Sequence, residues 1–153
     1  MKKMTGVLAA AIFALSVPTW AVAAMDHKMD HGAMKGNVAH AEVVEGVKAT
    51  FKITTMKEAM KEMKMEMPKG MKETHHLSVD FTDAKTGKAL TEGQVRVKVM
   101  GPDRAEQTKD LMAMDGHFGG DFEMPKKGKY GVMSKFVLKD GKTRSAKFWY
   151  TVK

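Results

Sequence analysis

From Val47 onward, hydrophobic and polar positions alternate with a period of two. Val47, Ala49, Phe51 and Ile53 interleave with Lys48, Thr50, Lys52 and Thr54, the pattern of a strand with one buried face and one wet face. The alternation returns in Leu77, Val79 and Phe81 against Ser78, Asp80 and Thr82, and in Val95, Val97 and Val99 against Arg96, Lys98 and Met100. Phe118, Phe122 and Met124 mark a further strand, Tyr130, Val132, Phe136 and Leu138 another, and Ala146, Phe148, Tyr150 and Val152 the last. With a short stretch near Leu111, this predicts about seven strands. Turn residues fall between them at Lys85-Thr86-Gly87, Gly101-Pro102-Asp103, Asp115-Gly116, Pro125 to Gly128 and Asp140-Gly141. Tight connections without a strand-helix-strand rhythm predict an all-β fold over residues 44–153: an immunoglobulin-like antiparallel sandwich without a disulfide.

One segment follows a different period. Met56, Met60, Met63 and Met67 recur at helical spacing among lysines and glutamates, which predicts a short Met-rich helix from Met56 to Met67 stopped by Pro68 and Gly70. Ahead of the strands the chain changes character twice. Residues 1–24 combine Lys2 and Lys3, an apolar run from Gly6 to Val17 and the small residues Ala21 to Ala24. That three-part pattern predicts a cleavable bacterial signal peptide, because the apolar run is short for a bilayer span. Residues 25–43 are polar and show no sustained period, which predicts a flexible arm. No later segment is apolar enough to anchor the chain in a membrane. The expected location is the periplasm, with the outer surface as the other possible destination.

Composition changes this picture at one point. Methionine occurs 16 times in 153 residues and cysteine not at all. Without cysteine there is no disulfide, no thiolate nucleophile and no lipoprotein anchor. Thioethers and imidazoles remain, and in an oxidising compartment they are not lost to disulfide formation. The net charge of +8 is spread among acidic residues rather than gathered beside aromatic ones, which argues against a nucleic-acid partner. The serines form no nucleophile elbow and no carboxylate pair stands in a context suited to acid-base work, so no enzymatic activity is expected.

The methionines and histidines form three groups. In the arm, Met25-Asp26-His27 recurs as Met29-Asp30-His31, followed by Met34. The second group is Met56, Met60, Met63, Met65, Met67 and Met71; its helical members form a stripe suited to packing on the sandwich, while Met63, Met65 and Met67 on an extended chain would present three sulfurs to one side. The third comprises His75, His76, Met112, Met114 and His117. On a strand, His75 shares the side of Leu77 whereas His76 points with Ser78 and Asp80, so the two imidazoles do not serve one mononuclear site. His75 stands close in sequence to the methionine segment as a further ligand for it, and His117 follows a turn near Met112 and Met114. Soft thioethers with imidazole match Cu(I) better than Cu(II). Copper is therefore the expected ion, and a copper donor or acceptor protein of the envelope the expected partner.

Thr74-His75-His76, Asp83 with Thr86-Gly87-Lys88, Gly101-Pro102-Asp103, Met114-x-Gly116-His117-Phe118 and Lys127-Gly128-x-Tyr130 together resemble the YtkA-like and FixH-like exported domains. The resemblance covers Thr74 to Tyr130. It implies the same immunoglobulin-like sandwich and an association with copper handling or cytochrome-oxidase maturation. The chain departs from the FixH-like pattern in lacking a retained membrane anchor. The expected function is a periplasmic copper chaperone or buffer. The alternative is a non-catalytic envelope interaction domain, with Trp149 at its docking surface and methionines used for packing.

Overall fold

The computed structural model describes residues 37–153. The signal segment and the arm residues Met25, His27, Met29, His31 and Met34 lie outside the described residues. The chain forms β1 (Val38–Val44), β2 (Val47–Thr55), α1 (Met56–Glu62), β3 (His75–Asp83), β4 (Gly93–Met100), β5 (Glu106–Met114), β6 (His117–Phe122), β7 (Gly128–Leu138) and β8 (Thr143–Val152). The strands pair antiparallel in the order β1-β2-β3-β6-β5-β4-β7-β8. β5 turns the corner of the sandwich: Glu106 to Leu111 pair with β4, and Met112 to Met114 pair with β6.

The inward positions of both sheets make one core. Phe51, Val79, Phe81, Phe118 and Phe122 face Val95, Val97, Val99, Val132, Phe136 and Phe148. Phe81 meets Phe136 at 4.4 Å between ring centroids, and Phe51 meets Phe148 at 5.0 Å. Burying each such ring contributes roughly 1.5–3 kcal/mol, which is how the fold stands without disulfides. β1 and β8 close the opposite side of the sandwich. His40 stacks on Phe148 at 4.9 Å, and the buried Arg144 pairs with both oxygens of Asp140 and donates to the Glu45 carbonyl at 3.2 Å. The Arg144 guanidinium holds the Asp140 carboxyl down at about 2.

Two expectations need correction. Among the described residues there are eight strands rather than about seven, because Val38–Val44 is a strand and not the end of an arm that reaches residue 43. A register shift between Val38 and His40 breaks its period of two, so alternation alone does not reveal it. It joins β2 through Glu45-Gly46, both at positive φ (44° and 77°), a two-residue hairpin turn of the kind also made by Asp115-Gly116 (42° and 85°).

The helix ends at Glu62 rather than Met67. It starts in a capping box, where Glu58 N–H donates to Thr55 Oγ1 and Thr55 N–H to the Glu58 carboxylate. It stops because Lys64 adopts φ 54°, with Lys64 N–H bonding the Lys61 carbonyl and Met65 N–H the Met60 carbonyl. Met56 and Met60 are buried on the helix, whereas Met63, at its C-cap, is 42% exposed, so Met63 does not belong to the packing stripe.

Tyr130 anchors the start of β7: its hydroxyl donates to the Lys126 carbonyl at 2.9 Å and accepts from Lys126 N–H at 3.1 Å. Tyr130→Phe removes both bonds while keeping the ring. It is expected to cost about 1–2 kcal/mol in urea unfolding; an unchanged midpoint would show that the Lys126 turn holds without the hydroxyl.

Candidate metal centre

The outer face of the β3-β6-β5 corner gathers the third group. Antiparallel pairing sets His76 opposite Asp121, Ser78 opposite Gly119, Gly119 opposite Met112, and His117 opposite Met114. Residues directly opposite one another share a face of the sheet. The side of the sheet that carries His76 therefore also carries Asp121, His117, Met112 and Met114.

His76 is buried, at 4% exposure, although it points away from the core. Its Nδ1 lies 2.6 Å from Asp121 Oδ1. An ionised carboxylate only accepts, so Nδ1 carries the hydrogen and, in the neutral ring, Nε2 carries the lone pair. That Nε2 is buried and has no hydrogen-bond partner. The tip of Met114 approaches the same spot: Met114 Cε lies 2.7 Å, and His76 Nε2 3.0 Å, from the point where a Cβ on Gly119 would sit. A Cβ there would require the Met114 tip to move aside and would press on the imidazole edge. The carboxylate also orients the ring, as partners of ligating histidines commonly do. Lys109 steadies this end of β6, donating to the Asp121 carbonyl at 2.7 Å.

The other expected ligands lie apart from this pair in different degrees. Met112, 72% exposed, and the half-buried His117 flank it on the same face. Met63, Met65 and Met67 are all exposed on the irregular segment after α1, and Met71 is half-buried farther along it. This segment returns to the sheet beside the His76 row, where Thr74 N–H donates to the Phe122 carbonyl at 3.0 Å. His75 faces inward, its Nδ1 2.8 Å from Thr74 Oγ1 and its ring edge-on to Tyr150 at 6.1 Å. Burial lowers the His75 pKa, which favours a neutral ring. The alternation of β3 separates the two imidazoles as the sequence predicts, and it is His76 that meets a methionine. Asp121, which orients His76, is the participant that sequence reasoning missed; it stands 45 residues away along the chain, with only the strand register to connect them.

Among the described residues, no three His, Asp or Glu side chains gather into a metal-holding cluster. The imidazole edge of His76 and the methyl tip of Met114 approach one spot over Gly119, and imidazole with thioether is a donor pair that prefers a soft ion.

No family model and no curated protein matches the sequence, and the comparisons show no YtkA-like or FixH-like relative. Solved structures do match. FetP from uropathogenic Escherichia coli strain F11 superposes with a TM-score of 0.57 at 14% identity, over 75% of this chain and 93% of that one. A copper-bound variant of the same FetP gives a TM-score of 0.58 at 14% identity, over 76% and 95%. A DUF4426 family protein from Pseudomonas aeruginosa PAO1 gives a TM-score of 0.54 at 9% identity, over 74% and 93%. At these identities the likeness is one of fold, and it agrees with the nearly all-antiparallel sandwich described above.

Gly119→Ala places a methyl group where the Met114 tip and the His76 edge now meet. The expected result is a folded protein destabilised by about 1–3 kcal/mol, with the Met114 methyl displaced and its nuclear Overhauser contact to His76 Hε1 lost. An unchanged contact would show that the space over Gly119 does not set this geometry.

Proposed function

We propose that the chain is a periplasmic copper-binding protein, a chaperone or buffer, that holds Cu(I) through His76 Nε2 and methionine thioethers. The observation that carries this reading is the buried Nε2 of His76, unpartnered, oriented through Asp121 and lying beside the Met114 thioether arm. Leaving a buried polar atom unsatisfied costs roughly 1–3 kcal/mol. A ligand that engages the lone pair recovers that loss.

The donor chemistry narrows the ion. A thioether is a poor partner for hard cations and a good one for Cu(I), and neutral imidazole suits the same ion. Met112 and His117 stand on the same face as further donors, and the exposed Met63, Met65 and Met67 offer thioethers for capture or hand-over. Exposed thioethers on a short segment bind exchangeably, which fits delivery to a partner rather than permanent storage. Export is supported by the signal pattern of residues 1–24. A variant of FetP, which shares the fold, has a copper-bound structure. No turnover is part of this function.

A different observation favours a second reading. Trp149 is 60% exposed on β8, with Lys129 Nζ 5.1 Å from its ring centroid. A large aromatic residue left on the surface is suited to docking another envelope protein, and in that reading the methionines serve packing alone.

Competition for Cu(I) against a selective chelator, using the chain from Met25 onward, separates the two. His76→Gln and Met114→Leu are each expected to weaken binding at least tenfold, whereas Met60→Leu, which alters a buried core methionine, leaves it unchanged. Wild-type affinity in His76→Gln would remove His76 from the site. No competition by the wild-type chain would favour the docking reading.

A further inference from the structure

The two outer faces of the sandwich differ in charge. Val97, Val132 and Phe148 mark the inward side of β4, β7 and β8, and the outward positions of these strands carry Arg96, Lys98, Lys129, Lys135 and Lys147 but no carboxylate. The outer face of the other sheet, which holds His76, mixes Lys48 and Lys52 with Asp80 and Asp121. At the β5 border of the basic face, Glu106 pairs with Lys98 at 2.9 Å and Asp110 with Arg96 at 2.6 Å. Among the described residues, Lys129, Lys135 and Lys147 have no carboxylate within 4.0 Å.

The register concentrates this charge. Lys135 lies directly opposite Arg96, and Met133 stands between Lys98 and Lys147. Like charges directly opposite one another destabilise a sheet. Arg96, Lys98, Lys135 and Lys147 border one surface depression of about 380 Å³, with Met133 among them. On the same face Trp149, 60% exposed, leans across Gly131, where a Cβ would lie 3.2 Å from the indole Cζ3. Lys129 Nζ is 5.1 Å from the indole centroid.

Repulsion left within the folded chain is relieved by an anionic partner. The residue types distinguish which kind. Protein interfaces are built on clustered apolar anchors and are depleted in lysine, whereas this face sets lysines around a single indole. Indoles favour the headgroup level of a bilayer, and lysine stems lie along apolar surface while their ammonium groups reach anionic headgroups. We infer that the outer face of β4, β7 and β8 docks on a bilayer surface that bears anionic phospholipid headgroups. The face needs no copper, so the inference stands apart from the metal reading. Because the two sheets pack face to face, docking turns the His76 face towards the aqueous side, within reach of a partner protein.

In the chain from Met25 onward Trp149 is the single tryptophan, so its emission reports on this face alone. Phosphatidylcholine vesicles with about 30% phosphatidylglycerol are expected to shift that emission to the blue and to sediment the protein. Pure phosphatidylcholine vesicles are expected to do neither, and added salt is expected to release the bound protein. Lys135→Gln combined with Lys147→Gln is expected to weaken vesicle binding at least about tenfold. Lys48→Gln combined with Lys88→Gln removes the same charge at exposed positions off this face and is expected to change binding less than about twofold. Failure to sediment with the anionic vesicles would overturn the inference, as would equal binding to the neutral ones. Equal losses in the two double variants would reduce the effect to net charge and remove the face. Tighter binding to soluble polyglutamate than to the vesicles would assign the face to an acidic protein instead.

Discussion

The pairing of β3 with β6 is the constraint on which the rest depends. By setting His76 opposite Asp121 and Ser78 opposite Gly119, it fixes which side chains share the outer face of this corner. The Asp121 carboxylate then determines which imidazole nitrogen is protonated and which is bare. A shift of one residue in this pairing would move His76 off Asp121 and turn every side chain of β6 to the opposite face. The register is in turn held by the core, because Leu77, Val79, Phe118 and Phe122 are buried on the other side of the same strands.

Core and site therefore use the two faces of one pair of strands. Phe118 and Phe122 point inward and bind the sandwich together; His117, Gly119 and Asp121 point outward between them. The adjacent glycines serve both sides. A Cβ on Gly120 would lie 2.7 Å from Leu111 Cδ2, and one on Gly119 would crowd Met114 and His76. At both positions a side chain would require a neighbouring side-chain end to give way. The corner is thus fixed where the imidazole sits and adaptable where the methionines lie.

Much of the sandwich was legible in the sequence, because β2, β3 and β4 bury one face and expose the other in strict alternation. The same parity placed His75 and His76 on opposite sides of β3. β1 was hidden by its register shift, and also because an edge strand with His40 and Glu42 shows little hydrophobic contrast. The length of α1 was misread because methionine spacing continues through Met67 while the backbone turns left-handed at Lys64, a non-glycine exit that carries no sequence mark. The union of His76 with Asp121 and Met114 was illegible for a different reason. It arises from the partners that β6 chooses, and pairing across such separations is decided by the packed core rather than by any local pattern.

The most direct test is a crystal structure of the Cu(I)-loaded chain with the ion located by its anomalous scattering. Copper is predicted within bonding distance of His76 Nε2 and the Met114 sulfur, with the Asp121 contact to Nδ1 retained. Copper bound elsewhere, with Nε2 still bare, would contradict the assignment of this corner as the metal centre.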